Sequence, residues 1–145
     1  MAIQWEESLK LGVAAIDEQH EEIFIHFDKL TEALQKGQGS GEVLDVLAFL
    51  DQYTATHFKD EEALMELHHY PKLELQRQQH CRFRENVALL SEKVANNAPM
   101  QEIAIRIDAE LIKYFITHIR KLDRELVEFI ASRFANLAIK VKGES

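Results

Sequence analysis

Apolar residues recur at steps of three and four along four stretches of this chain, and over no length do they alternate in steps of two. A period near 3.6 marks an amphipathic helix and a period of two a half-buried strand, so the spacing predicts an all-α chain. The first stretch, about 17–36, aligns Ile16, His20, Ile23, Phe24, Phe27, Leu30 and Leu34 on one face. The second, about 42–67, aligns Val43, Leu47, Leu50, Thr54, His57, Glu61, Leu64 and Met65. The third, about 71–95, has Pro71 in its first turn, where a missing N–H costs nothing, and aligns Leu73, Gln76, His80, Phe83, Val87, Leu90 and Val94. The fourth, about 100–120, aligns Ile103, Ile107, Leu111, Tyr114 and His118. A further amphipathic segment, about 123–138, carries Leu126, Ile130 and Phe134. Gly37-Gln38-Gly39-Ser40-Gly41 and Asn96-Asn97-Ala98-Pro99 are loops. Four helices of about 20 residues with short connections favour antiparallel neighbours. The expected fold is therefore an up-down-up-down antiparallel four-helix bundle, a single domain over 1–145. The first 15 residues form an N-terminal arm anchored by Trp5, and the last segment a C-terminal helical extension.

Charge and cysteine content narrow the function. With 17 Lys+Arg against 25 Asp+Glu the formal net charge is −8, the wrong sign for a nucleic-acid or anionic-membrane partner. Cys81 is the only cysteine, so no intrachain disulfide can form. No apolar run reaches the length of a membrane span, and the acidic Trp5-Glu6-Glu7 start is unlike a signal peptide. A cytoplasmic protein is the default expectation.

The informative residues are polar ones in core phase: His20, His57, Glu61, Gln76, His80 and His118, spread over four helices. Each alone has an ordinary explanation. A single core histidine is more often hydrogen-bonded than metal-bound, Glu61 could belong to a solvated Asp60-Glu61-Glu62 run, and Gln76 could be a seam amide. His26, His68 and His69 are expected in solvent or loops. Together the core-phase residues need one shared explanation, because a buried carboxylate is costly unless paired or metal-bound. His57 and Glu61 are four apart, as are Gln76 and His80, so each pair shares a helix face. Imidazole with carboxylate suits iron, zinc or manganese. Asp123 lies five residues after His118, and a regular helix would rotate the two apart. It reaches the same site only if the helix ends or distorts near Leu122.

The stretches Gly12-Val13-Ala14-Ala15-Ile16-Asp17-Glu18-Gln19-His20, His57-Phe58-Lys59-Asp60-Glu61-Glu62-Ala63-Leu64-Met65, Tyr70-Pro71 with His80 and Phe83, and His118-Ile119 with Asp123 resemble the bacterial hemerythrins along nearly the whole chain. That resemblance implies two iron ions bridged by an oxo or hydroxo group and by Glu61 and Asp123. His20 and His57 would hold one iron and His80 and His118 the other. It also implies O2 as the ligand, in a pocket walled by Ile23, Phe24, Phe115 and Ile116. One departure stands out: where the family has a further histidine ligand on the second iron, this chain has Gln76. Tyr114 stands where the family often has Trp, a change expected either to alter packing or to add a hydroxyl near the site.

Reversible O2 binding for storage, delivery or sensing is the leading expectation, with no catalytic residue assigned. A di-iron enzyme acting on O2, peroxide or NO is the first alternative. A degenerate, metal-poor interaction or signalling module is the second. The sequence identifies no protein partner.

Overall fold

A computed structural model describes residues 5–37 and 39–143, with side-chain surroundings as far as Phe134. Residues 1–4 of the expected arm and Gln38 of the expected loop lie outside the described residues. The chain is helical, with no strand among the described residues. Helix α1 is Ala14–Gln35, α2 is Ser40–Leu67 and α3 is Leu73–Ala95. A fourth helical run covers 100–143 without interruption. It consists of α4 (Met100–Arg106), a π-helical turn Ile107–Ile112, α5 (Lys113–His118), a second π-helical turn Ile119–Asp123, and α6 (Arg124–Gly143).

The helix ends follow from local backbone chemistry. Asp17, in the first turn of α1, accepts the backbone N–H groups of Leu11 (2.8 Å) and Gly12 (3.1 Å). Gly12 has φ +93°, a conformation that side chains disfavour, so this fold-back needs glycine there. Gly37, at φ +62°, closes α1 in the same left-handed region. Helices α2 and α3 end in one shared motif without glycine. His69 (φ 52°) and Asn97 (φ 61°) take the left-handed position. Beyond them, Tyr70 N donates to Met65 O and Ala98 N to Lys93 O, both at 2.9 Å, recovering carbonyls that a helix end leaves unpaired. The turn after His69 also corrects the expected start of the third helix. Tyr70 O accepts from Leu73 N, so Pro71 lies within the turn and α3 begins two residues later.

Aliphatic and aromatic side chains from all four helices form one core. Phe24, Phe27, Phe83 and Phe115 are fully buried at its centre, and their rings meet at 5.5–6.4 Å. Trp5 meets Phe24 edge-on at 5.5 Å, and Leu9 is buried beside it. Helix α2 packs along both α1 and α3, and α3 packs against the fourth run. A smaller cluster joins Met65, Tyr70 and Leu126. The fourth run departs from expectation at its far end. Leu126 is buried and Ile130 packs partly, but Phe134 is 60% exposed and meets the His68 ring at 5.8 Å. Cys81 is exposed.

No helix among the described residues is long and apolar enough to cross a membrane.

Candidate metal centre

Seven polar side chains meet inside the apolar core: His20 from α1, His57 and Glu61 from α2, Gln76 and His80 from α3, His118 from the end of α5, and Asp123 from the second π turn. All are buried, none more than 4% exposed. The π turn explains how His118 and Asp123 share a face. In a π turn the backbone bond closes five residues on rather than four, so residues five apart stack. His118 Nε2 and Asp123 Oδ1 are 3.2 Å apart. The distortion required by the five-residue spacing is thus one wide turn, and the helix continues past it.

Glu61 and Asp123 each divide their two oxygens between two groups of ligand atoms. Glu61 Oε2 lies 3.3 Å from His20 Nε2 and 3.2 Å from His57 Nε2, while its Oε1 lies 3.3 Å from His80 Nε2. Asp123 Oδ2 lies 3.1 Å from His20 Nε2, and its Oδ1 faces both His118 and Gln76 Nε2, which donates to it at 3.1 Å. Two potential metal-holding groups follow: His20, His57, Glu61 and Asp123, and Glu61, His80 and His118. Glu61 belongs to both.

Proximity here does not amount to mutual satisfaction. His57 Nε2, Glu61 Oε1, Gln76 Oε1, His80 Nε2, His118 Nε2 and Asp123 Oδ2 are all buried without a hydrogen-bond partner. Buried polar atoms are rarely left so, and six in one place fit donors converging on an ion better than groups bonding to one another. That donor set, imidazole nitrogen with carboxylate and amide oxygen, fits a metal and fits little else in an apolar core. The charges agree. Burial alone would push the Glu61 carboxyl up, yet His57, His20 and His80 hold it well below its ordinary value. Burial alone would lower the His20 imidazole, but Asp123 and Glu61 hold it up at about 9. Burial and the Glu61 charge act to raise Asp123, and His118 and His20 outweigh them, leaving it lowered. Without metal, therefore, protons on imidazole carry the positive charge that the carboxylates demand.

Side chains outside this cluster set two of the four imidazole tautomers. His57 Nδ1 lies 2.7 Å from Gln19 Oε1, and His80 Nδ1 lies 3.0 Å from Glu62 Oε2. A carboxylate only accepts, so His80 carries its proton on Nδ1 and turns an Nε2 lone pair inward. Gln19 reaches the same end because its own Nε2 donates to Asp60 Oδ2 at 3.1 Å, fixing its carbonyl towards His57.

Of the expected pocket walls, Ile23, Phe24 and Phe115 are buried, whereas Ile116 is only partly so and packs on the core from outside. Phe115 meets the His20 ring edge-on at 5.7 Å and the His57 ring at 6.4 Å. Phe58 was missed as a wall: it stacks on His80 at 4.0 Å with planes 5° apart and meets His57 at 5.6 Å. Its position directly after His57, off the apolar stripe, hid that role. Gln19 and Glu62 were missed for the same reason, since each sits beside a core-phase residue and reaches in from the flank. The Tyr114 hydroxyl does not reach the site, because it donates to the side chain and backbone oxygens of Gln79. His26 is half-buried, stacked on Tyr53 at 5.6 Å, and takes no part.

Comparison with known proteins agrees with this geometry. Residues 11–130 match the hemerythrin HHE cation binding domain family. A bacteriohemerythrin of Ralstonia nicotianae is 32% identical over 133 residues, covering 90% of each chain. A bacteriohemerythrin of Pseudomonas aeruginosa is 28% identical over 140 residues, 97% of this chain and 88% of that one. One from Clostridium acetobutylicum is 24% identical over 127 residues, covering 86% and 98%. With its matched domain spanning most of the sequence and a buried His/Glu/Asp cluster suited to a metal at its core, the chain belongs to the hemerythrin family.

Proposed function

We propose that this protein holds two iron ions in the cluster and binds O2 reversibly there. The observation that carries the reading is the division of the carboxylate oxygens. Glu61 and Asp123 each turn one oxygen to the His20 side and the other to the His80 and His118 side, as two bridging carboxylates would. His20 and His57 would hold one iron and His80 and His118 the other, with Glu61 and Asp123 shared between them. Iron held there would supply the electrons that reversible O2 binding needs. The unpartnered carbonyl of Gln76 supports a seventh contact, to the second iron. An amide oxygen is a weaker donor than the imidazole that the family resemblance implies at this position.

The chain's own residues favour binding over turnover. Phe24, Phe58 and Phe115 surround the imidazoles and exclude water, so protons reach the site slowly. Two hydroxyls near the cluster are occupied: Thr54, one turn before His57, donates to Leu50 O at 2.8 Å, and Tyr114 is held by Gln79. Neither of these two hydroxyls is free to serve as a general acid at the cluster. Four helices joined by the short connections 36–39, 68–72 and 96–99 support an up-down-up-down arrangement, with the first residues as an arm and α6 as an extension. A cytoplasmic location is part of the same reading.

Gln76 favours a second reading, turnover of O2, peroxide or NO at a less tightly held second iron. Oxygen-electrode measurements separate the two. Reversible binding gives uptake that stops at a fixed ratio to protein and is released under argon, even with a reductant present. Continued O2 consumption, or catalytic loss of added peroxide, would establish the enzyme reading instead.

A further inference from the structure

Two of the four imidazoles have a side-chain acceptor at Nδ1, and the two acceptors differ in charge. His57 is backed by the neutral amide of Gln19. His80 is backed by the carboxylate of Glu62, which is only partly exposed. Glu62 is itself fixed at both oxygens. Its Oε2 takes the His80 proton, and its Oε1 takes Arg77 Nε at 3.1 Å, while Arg77 Nη2 reaches Glu66 Oε1 at 2.6 Å. Arg77 follows Gln76 directly, so the residue that clamps Glu62 is the chain neighbour of the weak donor. The chain Glu66–Arg77–Glu62–His80 runs from solvent into the buried cluster along the α2–α3 groove, where Phe58, stacked on His80, closes the inner end.

A carboxylate behind an imidazole strengthens its other nitrogen as a donor and fixes the ring's orientation more firmly than an amide does. The stronger backing therefore falls in the half of the cluster that contains Gln76. We propose that Glu62, clamped by Arg77, is a positioning residue that offsets the weak amide donor of Gln76 by making His80 the stronger ligand of the second metal. This rests on the two-metal reading above. It predicts coupling between positions 62 and 76, since Glu62 should matter less once an imidazole replaces Gln76.

The test is anaerobic Fe(II) titration of metal-free protein against a competing chelator, followed by circular dichroism and thermal melting of each metal-free form. The set comprises wild type, Glu62→Gln, Glu62→Asp, Gln76→His and the Glu62→Gln/Gln76→His double variant. In wild type we expect two binding steps. Glu62→Gln should weaken one step about 10–100-fold, leave the other in place and keep wild-type helicity, as loss of such a backing carboxylate does elsewhere. Glu62→Asp should restore part of the loss, and in the Gln76→His background the Glu62→Gln penalty should shrink. Wild-type affinity for both metals in Glu62→Gln would overturn the inference and leave the two-metal reading standing. Equal weakening of both steps with a lowered melting point would also overturn it, because that is general destabilisation. A penalty unchanged by Gln76→His would overturn the compensation. A wild type that binds a single Fe(II) would instead overturn the two-metal reading itself.

Discussion

Replacing Glu61 with Ala removes the carboxylate whose one oxygen faces His20 and His57 and whose other faces His80. The variant should lose most bound iron, since both halves of the cluster lose a shared ligand and the pair loses its charge compensation. Iron content by elemental analysis after gel filtration checks this; retention of two irons would show that Glu61 is not a ligand. Titration gives a second prediction at this scale, for the metal-free protein. His20 is held at about 9 against an ordinary 6.5, so its contribution to stability is complete below about 6.5 and disappears as pH rises through about 9. Glu61 and Asp123 are lowered from 4.5 and 3.8, so their contribution is present above those values and is lost on acidification through the folded ones. The metal-free protein should thus be most stable between about 4.5 and 6.5 and weaken towards pH 9. Iron affinity runs the other way, rising with pH as protons leave the imidazoles. Urea midpoints of the metal-free form at about pH 6 and about pH 9 test this, and a higher midpoint at the alkaline end would contradict it. Six of the cluster's seven members were legible in the sequence because polar residues on an apolar stripe need a reason to be there; Asp123, out of phase with His118, was implied only by the family resemblance. Gln19, Phe58 and Glu62 were not legible, because they lie off the stripe, and only the packing of one helix on another brings them to an imidazole.

At the scale of the element, the second π turn is the feature the site depends on. Its five-residue spacing was readable, but its form was not. Nothing in Ile119-Arg120-Lys121-Leu122-Asp123 distinguishes a helix end from a wide turn, and the helix continues because Leu126 still has Met65 and Tyr70 to pack on. A π turn amounts to one residue added to an α-helix, so removing one should restore ordinary closure. Deleting Lys121, which is exposed and faces away from the cluster, leaves His118 and Asp123 four apart on the same face. The deletion variant is expected to fold and to bind iron. An apoprotein with normal helicity that takes up no metal would show that the wide turn itself, rather than the shared face, sets the carboxylate. The start of α3 was misplaced for a related reason. Pro71 suits a first helical turn equally well as a linker turn, and the left-handed His69 that decides between them carries no glycine to announce it.

For the whole molecule, the helical character and the core were the most legible part, because the three-and-four spacing is a long-range pattern that no single residue can obscure. The end of the pattern was less legible: Phe134 continues the apolar phase of α6 yet is mostly exposed. The same core that excludes water leaves the cluster residues with seven buried atoms lacking partners, so folding and metal binding should be linked. Free metal at about 100 times Kd adds about 2.7 kcal/mol per site, a rise of several degrees in Tm for a chain of this size. The most direct test of the account is an anaerobic iron count on reconstituted protein, with visible spectra under argon, after air and under argon again. Two irons per chain, and a visible band that appears with air and fades when O2 is removed, are the expected result. One iron or none under excess Fe(II), or a spectrum that air leaves unchanged, would contradict it.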